Sequence, residues 1–300
     1  MQQGSLSHLS PIFKLMILFL IVISFGMLSG WIIGVLAELV FGIDVTNTES
    51  VQSHVGFMRM YQIVQSISLF IVPPLIAFYL FFKRFKEGVQ GKGKWCVETV
   101  LLTVVMIIFG QGFISFSGWL NHQLILPEGW GHILEWMTSK EQEAGELTVL
   151  MIQADHWWQI LITVFMFSIL PAIGEEWFFR GLLQRQLGLI LKNPHVAIVL
   201  TAIIFSAGHM QFLTFLPRFF LGLILGYLFY YSRNLWVPVI GHFTNNFMAV
   251  VLYMTMSSHQ NESPLDIPNH TPNAFAVLFS FVVIVLILFY IERQSRIKKV

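Results

Sequence analysis

Six polar side chains, at three places in the sequence, interrupt stretches that are otherwise almost entirely apolar. They are Glu175, Glu176, Arg180, His209, His242 and Asn246. An ionisable group inside a membrane-spanning helix costs about 2.5–3.5 kcal/mol on insertion scales, and such residues are usually functional. Carboxylate, imidazole and amide groups together supply a base and hydrogen-bond donors, which hydrolysis of an acyl bond requires.

The first place is the run from Gly174 to Arg180, where the two carboxylates are expected to have different roles. On an α-helix, Glu176 and Arg180 are four residues apart and share a face, so they are predicted to form an ion pair. Glu175 lies about 100° round the helix from Glu176. We therefore expect the Glu176 and Arg180 pair to support the site structurally and Glu175 to be the catalytic carboxylate.

The second place is His209, which is predicted to lie at the same depth as Glu175. The two helices are expected to be antiparallel around a turn at residues 192–194. Glu175 lies 17 residues before Lys192, and His209 lies 17 residues after it. Equal helical rise from the turn then places the two side chains at one level.

The third place holds His242 and Asn246, which share a helix face at a spacing of four residues. Taken with the other two places, they complete a set for peptide hydrolysis. Water is the natural nucleophile, because Glu175 and His209 can orient and deprotonate it. His242 and Asn246 can donate hydrogen bonds to the oxyanion of the tetrahedral intermediate.

The elements that carry these residues are predicted to be membrane-spanning helices. The chain of 300 residues is 56% hydrophobic and 11% charged, which is typical of an all-α, polytopic membrane protein. We count about eight apolar blocks, each near the length of a transmembrane helix: Ile12–Leu36, Phe57–Phe82, Val97–Leu120, Trp157–Leu191, His195–Met210, Leu216–Tyr231, Leu235–Met256 and Ala274–Ile291.

The basic residues predict the orientation of these helices. With eight helices, 14 of the 17 lysines and arginines fall on one side of the membrane. Because cytoplasmic loops carry the positive excess, both termini are predicted to be cytoplasmic. The residues on that side are Lys14, Lys83, Arg84, Lys86, Lys92, Lys94, Arg180, Arg185, Lys192, Arg233, Arg293, Arg296, Lys298 and Lys299.

The rest of the sequence narrows the protein class further. We expect a single membrane domain over residues 1–300, since no repeat or soluble appendage is evident. The stretch Asn121–His156 fits either an interfacial helix or a solvated loop. A net charge of +1 gives no support for nucleic-acid binding, and the single Cys96 excludes an internal disulfide and a cysteine-based zinc site.

Three ordered motifs on successive helices carry a family resemblance. Glu-Glu-x-x-x-Arg at 175–180, Phe-x-x-x-His at 205–209 and His-x-x-x-Asn at 242–246 resemble those of the CAAX protease and bacteriocin-processing family, also called CPBP or Abi. The resemblance implies an intramembrane endopeptidase similar to the type II CAAX prenyl proteases, with residues 157–250 as its catalytic core. It also implies a membrane-embedded or lipidated, possibly prenylated, substrate and, by family habit, a bacterial plasma membrane.

The cofactor and two other functional classes stay open at this point. Glu175, His209 and His242 supply the ligand types of a catalytic zinc ion, although the glutamate mechanism requires no metal and is the one we favour. A polytopic transporter would also place carboxylates and histidines near the midplane. A non-catalytic scaffold or bacteriocin-immunity protein would keep the fold without the activity. A rhomboid-type serine protease is disfavoured, since Ser115 to Gly118 lacks the leading glycine of its motif.

Overall fold

The protein is almost entirely helical in a computed structural model that describes residues 4–46, 48–93, 96–123, 129–256 and 272–297. Within these ranges no strand is formed, and the only bridge of strand type joins Gly91 to Asn234. The predicted all-α class is thereby confirmed. Lys94, Lys298 and Lys299 of the basic set lie outside the described residues.

Ten longer helices occur within the described ranges, joined to two short ones at Thr48–Gln52 and Phe85–Gln90. In chain order they are α1 (Pro11–Phe41), α2 (Val55–Phe81), α3 (Val97–Phe109), α4 (Gln111–His122), α5 (Gly131–Ile152), α6 (Trp157–Leu191), α7 (Pro194–Ala207), α8 (Phe215–Ser232), α9 (Trp236–Met256) and α10 (Ala274–Ile297). Helix α5 occupies most of the stretch for which the sequence left helix and loop as alternatives.

Among the described residues, six helices are long and apolar enough to cross a membrane, namely α1, α2, α6, α8, α9 and α10. Helices α3 and α4 form a seventh candidate span, bent by 43° at Gly110. Helix α7, at the fifth predicted block, has 14 residues, which is short of the ~20 needed to cross the hydrocarbon layer. All eight apolar blocks are thus helical, but one of them is too short to span and one is broken.

The outward faces of these helices are apolar, as contact with lipid requires. Met27 and Trp31 of α1 are 74% and 69% exposed, and Phe275 of α10 is 78% exposed. Soluble monomers rarely expose apolar patches on this scale. Together with the spans, these faces show that the chain is an integral membrane protein.

The loops predicted to be cytoplasmic meet at one end of the bundle. The Leu235 amide, between α8 and α9, donates to the carbonyl of Gln90, between α2 and α3, at 2.8 Å. The Gly4 amide donates to the carbonyl of Tyr79 at 2.9 Å, which ties the N-terminal segment to the same end. The structure therefore groups these loops as the charge pattern predicts, while the membrane side they face stays a prediction.

The opposite end of the bundle is joined by a separate set of contacts. Arg59 of α2 donates from Nε to the carbonyl of Met151 at 3.0 Å, at the end of α5. Asn121 of α4 donates from Nδ2 to the carbonyl of Phe212, between α7 and α8, at 3.0 Å. The start of α2, the ends of α4 and α5 and the connection between α7 and α8 thus lie at the end opposite to the basic loops.

The separation of these two ends predicts the outcome of labelling from either side of the membrane. In a Cys96→Ser background, we expect Arg84→Cys to react with an impermeant maleimide only from the cytoplasmic side, because basic loops are retained there. Lys140→Cys, in α5 at the other end, should react only from the opposite side. Intact cells and inverted vesicles measure the two reactions. Labelling of both positions from the same side would contradict the topology.

Helices α7 and α8 pack closely because α8 carries glycines at 222 and 226. A Cβ atom at Gly226 would lie 2.8 Å from Cγ2 of Ile198, and one at Gly222 would lie 3.1 Å from Cβ of Ala202. Small residues four apart allow helix backbones in membranes to approach one another. The approach also leaves the carbonyls of both glycines within reach of side chains from α6.

Candidate active site

The core of the site is a fully buried ion pair on α6. Arg180 donates from Nη1 to Oε1 of Glu176 at 2.6 Å, and both side chains are 0% exposed. The second Arg180 nitrogen, Nη2, donates to the carbonyl of Gly222 at 3.1 Å. The guanidinium also lies over the ring of Phe205, 4.7 Å from its centroid. The ion pair expected from the spacing is therefore present, and it joins α6 to α7 and α8.

His242 of α9 is held by the same carboxylate. Its Nδ1 atom lies 2.9 Å from Oε1 of Glu176. A carboxylate paired with an arginine only accepts hydrogen bonds, so Nδ1 is the donor. The other ring nitrogen, Nε2, then faces Glu175, 3.9 Å from its Oε2. One oxygen of Glu176 thus orients both Arg180 and His242.

Glu175 is placed differently from its neighbour. Its side chain is 14% exposed and lines a cavity of about 340 Å³. Its Oε2 atom is nevertheless buried, and it accepts no hydrogen bond from any described residue. Buried polar atoms are nearly always paired. An unpaired carboxylate oxygen beside a cavity is consistent with a group that acts on water or substrate.

The cavity brings together three of the four residues predicted to be catalytic. Glu175 from α6, His209 from the turn after α7 and Asn246 from α9 all line it. His242 is not among the residues that line it, and its Nε2 approaches the cavity at Glu175, 3.9 Å from Oε2. The volume is at the low end of the range for ligand sites. The equal depth inferred from the two 17-residue intervals therefore corresponds to a shared cavity.

The tautomer of His209 follows from its hydrogen bond. Its Nδ1 atom lies 2.8 Å from the carbonyl oxygen of Phe205. Since a carbonyl only accepts, Nδ1 carries the proton and Nε2 of the neutral ring is an acceptor. The side chain is thus equipped to accept a hydrogen bond from a water molecule in the cavity.

Asn246 is fixed from both ends of its carboxamide. It donates from Nδ2 to the carbonyl of Phe167 at 3.2 Å, and its Oδ1 accepts from Nδ2 of Asn245 at 3.2 Å. Phe167 lies in the π-helical segment Phe165–Ile169 of α6. Such segments are often found at functional sites. A carboxamide held in this way presents a defined donor at the cavity wall.

Much of the remaining wall is formed by polar side chains that lie outside the three motifs and were not predicted from the sequence. They are Gln62, Gln65 and Ser66 of α2, Thr148 of α5 and Gln211 after α7. Those of α2 do have a signal in the sequence, because amides and a hydroxyl within an apolar block also need hydrogen-bond partners. Close contact of α2 with α6 brings them there, since a Cβ atom at Gly174 would lie 2.8 Å from Cβ of Phe70.

The side chains in the cavity do not form a metal site in this arrangement. Within the described part of the chain, no group of three or more His, Cys, Asp and Glu side chains is placed to hold a metal ion. The possible zinc ligands named from the sequence, Glu175, His209 and His242, therefore do not form such a group. The Nδ1 atoms of both histidines are occupied by protein acceptors, which leaves Nε2 as the remaining ring nitrogen of each.

Comparison with known families agrees with this geometry. Residues 157–248, which carry all six of the polar residues, match the family described as type II CAAX prenyl endopeptidase Rce1-like. This segment is therefore similar to the Rce1-like family, which is consistent with the CPBP family, and the similarity suggests CAAX-type protease activity at a membrane. Neither a curated protein nor a solved structure matches the chain.

Proposed function

We propose that this chain, whose residues 157–248 match the Rce1-like family, hydrolyses peptide bonds within the membrane by water that Glu175 and His209 activate. One observation gives this proposal its strongest support. A buried carboxylate oxygen that accepts no hydrogen bond within the described residues adjoins a cavity that also holds an imidazole and a carboxamide. These are the base and donor types that acyl transfer to water requires.

The first step is attack by water on the scissile carbonyl carbon. Water donates one hydrogen bond to Glu175 and one to Nε2 of His209. As its oxygen forms the new bond to carbon, Glu175 takes the proton and the carbonyl π-electrons move to oxygen. The resulting oxyanion accepts hydrogen bonds from Asn246 and from a protonated His242. Donors aimed at such an oxyanion give large rate effects, typically about 10²–10³ each.

The second step is collapse of the tetrahedral intermediate. The oxyanion electrons re-form the carbonyl bond, the carbon–nitrogen bond breaks, and the proton held by Glu175 passes to the leaving nitrogen. Products are a carboxylic acid and an amine, so atoms and charge balance. Glu176 and Arg180 touch no reacting atom in this scheme and act by holding His242 and the three helices in place.

The proposed substrates are proteins or peptides associated with the bilayer, including prenylated ones, because the site lies within a membrane domain and the matched family is described by prenyl endopeptidase activity. A bacterial plasma membrane is the proposed location. We place the catalytic core at residues 157–250 of a single membrane domain. A glutamate-type mechanism without metal is proposed ahead of a metal-dependent one, because Glu175 and His209 can orient and deprotonate water without a further ligand.

The test is cleavage of a quenched fluorescent peptide with a prenylated cysteine near its C-terminus, by the purified protein in detergent. We expect His209→Ala to lower kcat by about 10²-fold, at the lower end of the effects of acid–base groups, because His209 orients the water whose proton Glu175 takes. His132→Ala, at an exposed position of α5, is the matched control and should match wild type. Normal cleavage by His209→Ala would contradict the mechanism.

Two additions to the same assay test the finer parts of the proposal. The unprenylated peptide measures whether the lipid contributes to KM. A zinc chelator should leave cleavage unchanged, and loss of activity that zinc restores would establish the metal-dependent alternative. If the wild-type protein cleaves neither peptide, the scaffold interpretation is favoured, and solute uptake into sealed vesicles then tests the transporter interpretation.

A further inference from the structure

We propose that Gln111 and Asn245 are positioning residues that fix the orientation of the Asn246 carboxamide through a chain of three side-chain amides. The inference rests on the proposed function, because it concerns the donor assigned to the oxyanion. Gln111 belongs to α4 and lies outside the segment that matches the Rce1-like family.

The hydrogen bonds between these amides all run in one direction, with each donor nearer to Gln111 than its acceptor. Gln111 donates from Nε2 to Oδ1 of Asn245 at 3.3 Å, and Asn245 donates from Nδ2 to Oδ1 of Asn246 at 3.2 Å. Asn246 then donates from Nδ2 to the carbonyl of Phe167 at 3.2 Å. Hydrogen bonds arranged in series polarise one another, so each link strengthens the next.

This direction determines what Asn246 presents to the cavity. A carboxamide nitrogen has two N–H groups, and one of them is used by Phe167. The other is available to a substrate oxygen. Because Oδ1 is held by the donor of Asn245, the carboxamide cannot turn over without losing two hydrogen bonds. A turned carboxamide would present its oxygen to the oxyanion and repel it.

The series of hydrogen-bonded amides begins at the break between α3 and α4. Gln111 is the first residue of α4, and its Nε2 also donates to the carbonyl of Ile107 in the last turn of α3 at 3.0 Å. The break is tied to Gly110, since a Cβ atom there would lie 2.6 Å from the carbonyl oxygen of Met106. The bend thus places an amide against α9 that both α3 and α4 hold in position.

Amide contacts between membrane helices can also serve packing alone, and the two roles predict different kinetics. A packing contact affects folding and thermal stability, without a selective effect on turnover. A positioning contact affects kcat, because the donor matters most when the oxyanion forms. KM should change little, since the ground-state carbonyl carries less charge.

The experiment compares Asn245→Leu, Gln111→Leu and the double variant with wild type, in the peptide cleavage assay. We expect Asn245→Leu to lower kcat about 10-fold, a fraction of the effect of removing an oxyanion donor, with KM changed less than about 2-fold. Gln111→Leu should lower kcat about 3-fold. The double variant should equal Asn245→Leu, because a chain already broken at Asn245 no longer transmits the effect of Gln111.

Gln123→Leu, which follows the end of α4 at an exposed position, is the matched control and should match wild type. Full kcat in Asn245→Leu, a change confined to KM, or additive effects in the double variant would overturn the inference. If Asn245→Leu does not fold, Gln111→Leu decides by the same split between kcat and KM.

Parallel measurement of Glu175→Gln separates this inference from the proposed function. An active Glu175→Gln protein overturns the proposed function. An inactive Glu175→Gln protein beside an Asn245→Leu protein with full kcat overturns only the role of the amide chain. A wild-type protein that cleaves nothing overturns both.

Discussion

Glu175→Gln is expected to lower kcat for peptide cleavage by about 10³-fold or more, within the range seen for loss of a general base with its correct orientation. Glutamine keeps the size of the side chain and its place at the cavity wall. It cannot take a proton from water, and its NH₂ group would point a donor where the carboxylate oxygen now lies 3.9 Å from Nε2 of His242. Folding should be little affected, because no described residue donates to Glu175 Oε2.

The measurement is kcat for the prenylated peptide at saturating concentration, with thermal stability recorded for the same preparation. Glu143→Gln is the matched control, since Glu143 forms an exposed pair with Lys140 and such pairs contribute little. We expect its activity to equal that of wild type. Cleavage by Glu175→Gln at more than about a tenth of the wild-type rate would exclude Glu175 as the general base.

Arg180→Met is expected to destabilise the protein by about 3–5 kcal/mol, the usual effect of leaving a buried charge without its partner. Glu176 would keep only the hydrogen bond from His242, and the carbonyl of Gly222 would lose its donor. Activity should be lost together with stability, because Glu176 orients His242. The effect follows from burial, since both members of the pair are 0% exposed.

The stability of Arg180→Met is measured by thermal unfolding in detergent. A double variant that carries both Glu176→Gln and Arg180→Met is measured beside it. The double variant removes both charges, so we expect it to recover much of the lost stability while remaining poorly active. Arg296→Met, which removes an exposed partner of Glu292, should have no measurable effect. A single Arg180→Met protein as stable as wild type would show that the pair does not support the fold.

The parts of the site that sequence alone predicted are those that depend on local spacing. Glu176 and Arg180 pair because four residues bring side chains to one helix face. Glu175 and His209 meet because equal lengths of helix lead to them from one turn. Both predictions depend only on the rise and rotation of an α-helix, which are the same in an apolar helix as in any other.

The parts that sequence did not predict depend on contacts between distant segments. Gln111 reaches Asn245 across 134 residues, and no spacing rule links them. The break at Gly110 and the π-helical segment at Phe165–Ile169 depend on how neighbouring helices pack, and composition alone gives no signal for either. Apolar blocks likewise predicted that helix α7 exists but not that it stops at Ala207, before reaching spanning length.

The cavity has two walls of different origin, since Gln62 and Gln65 come from α2, whereas Glu175, His209 and Asn246 come from the matched segment. Chemistry and selectivity can therefore diverge independently during evolution. Substitutions in α2 change the shape and polarity that a substrate meets while leaving the proposed base and oxyanion donors untouched. If the proposed peptidase activity holds, a lineage of such proteins can acquire new targets by varying its N-terminal half, and a chimera that exchanges this half should exchange peptide preference while retaining cleavage.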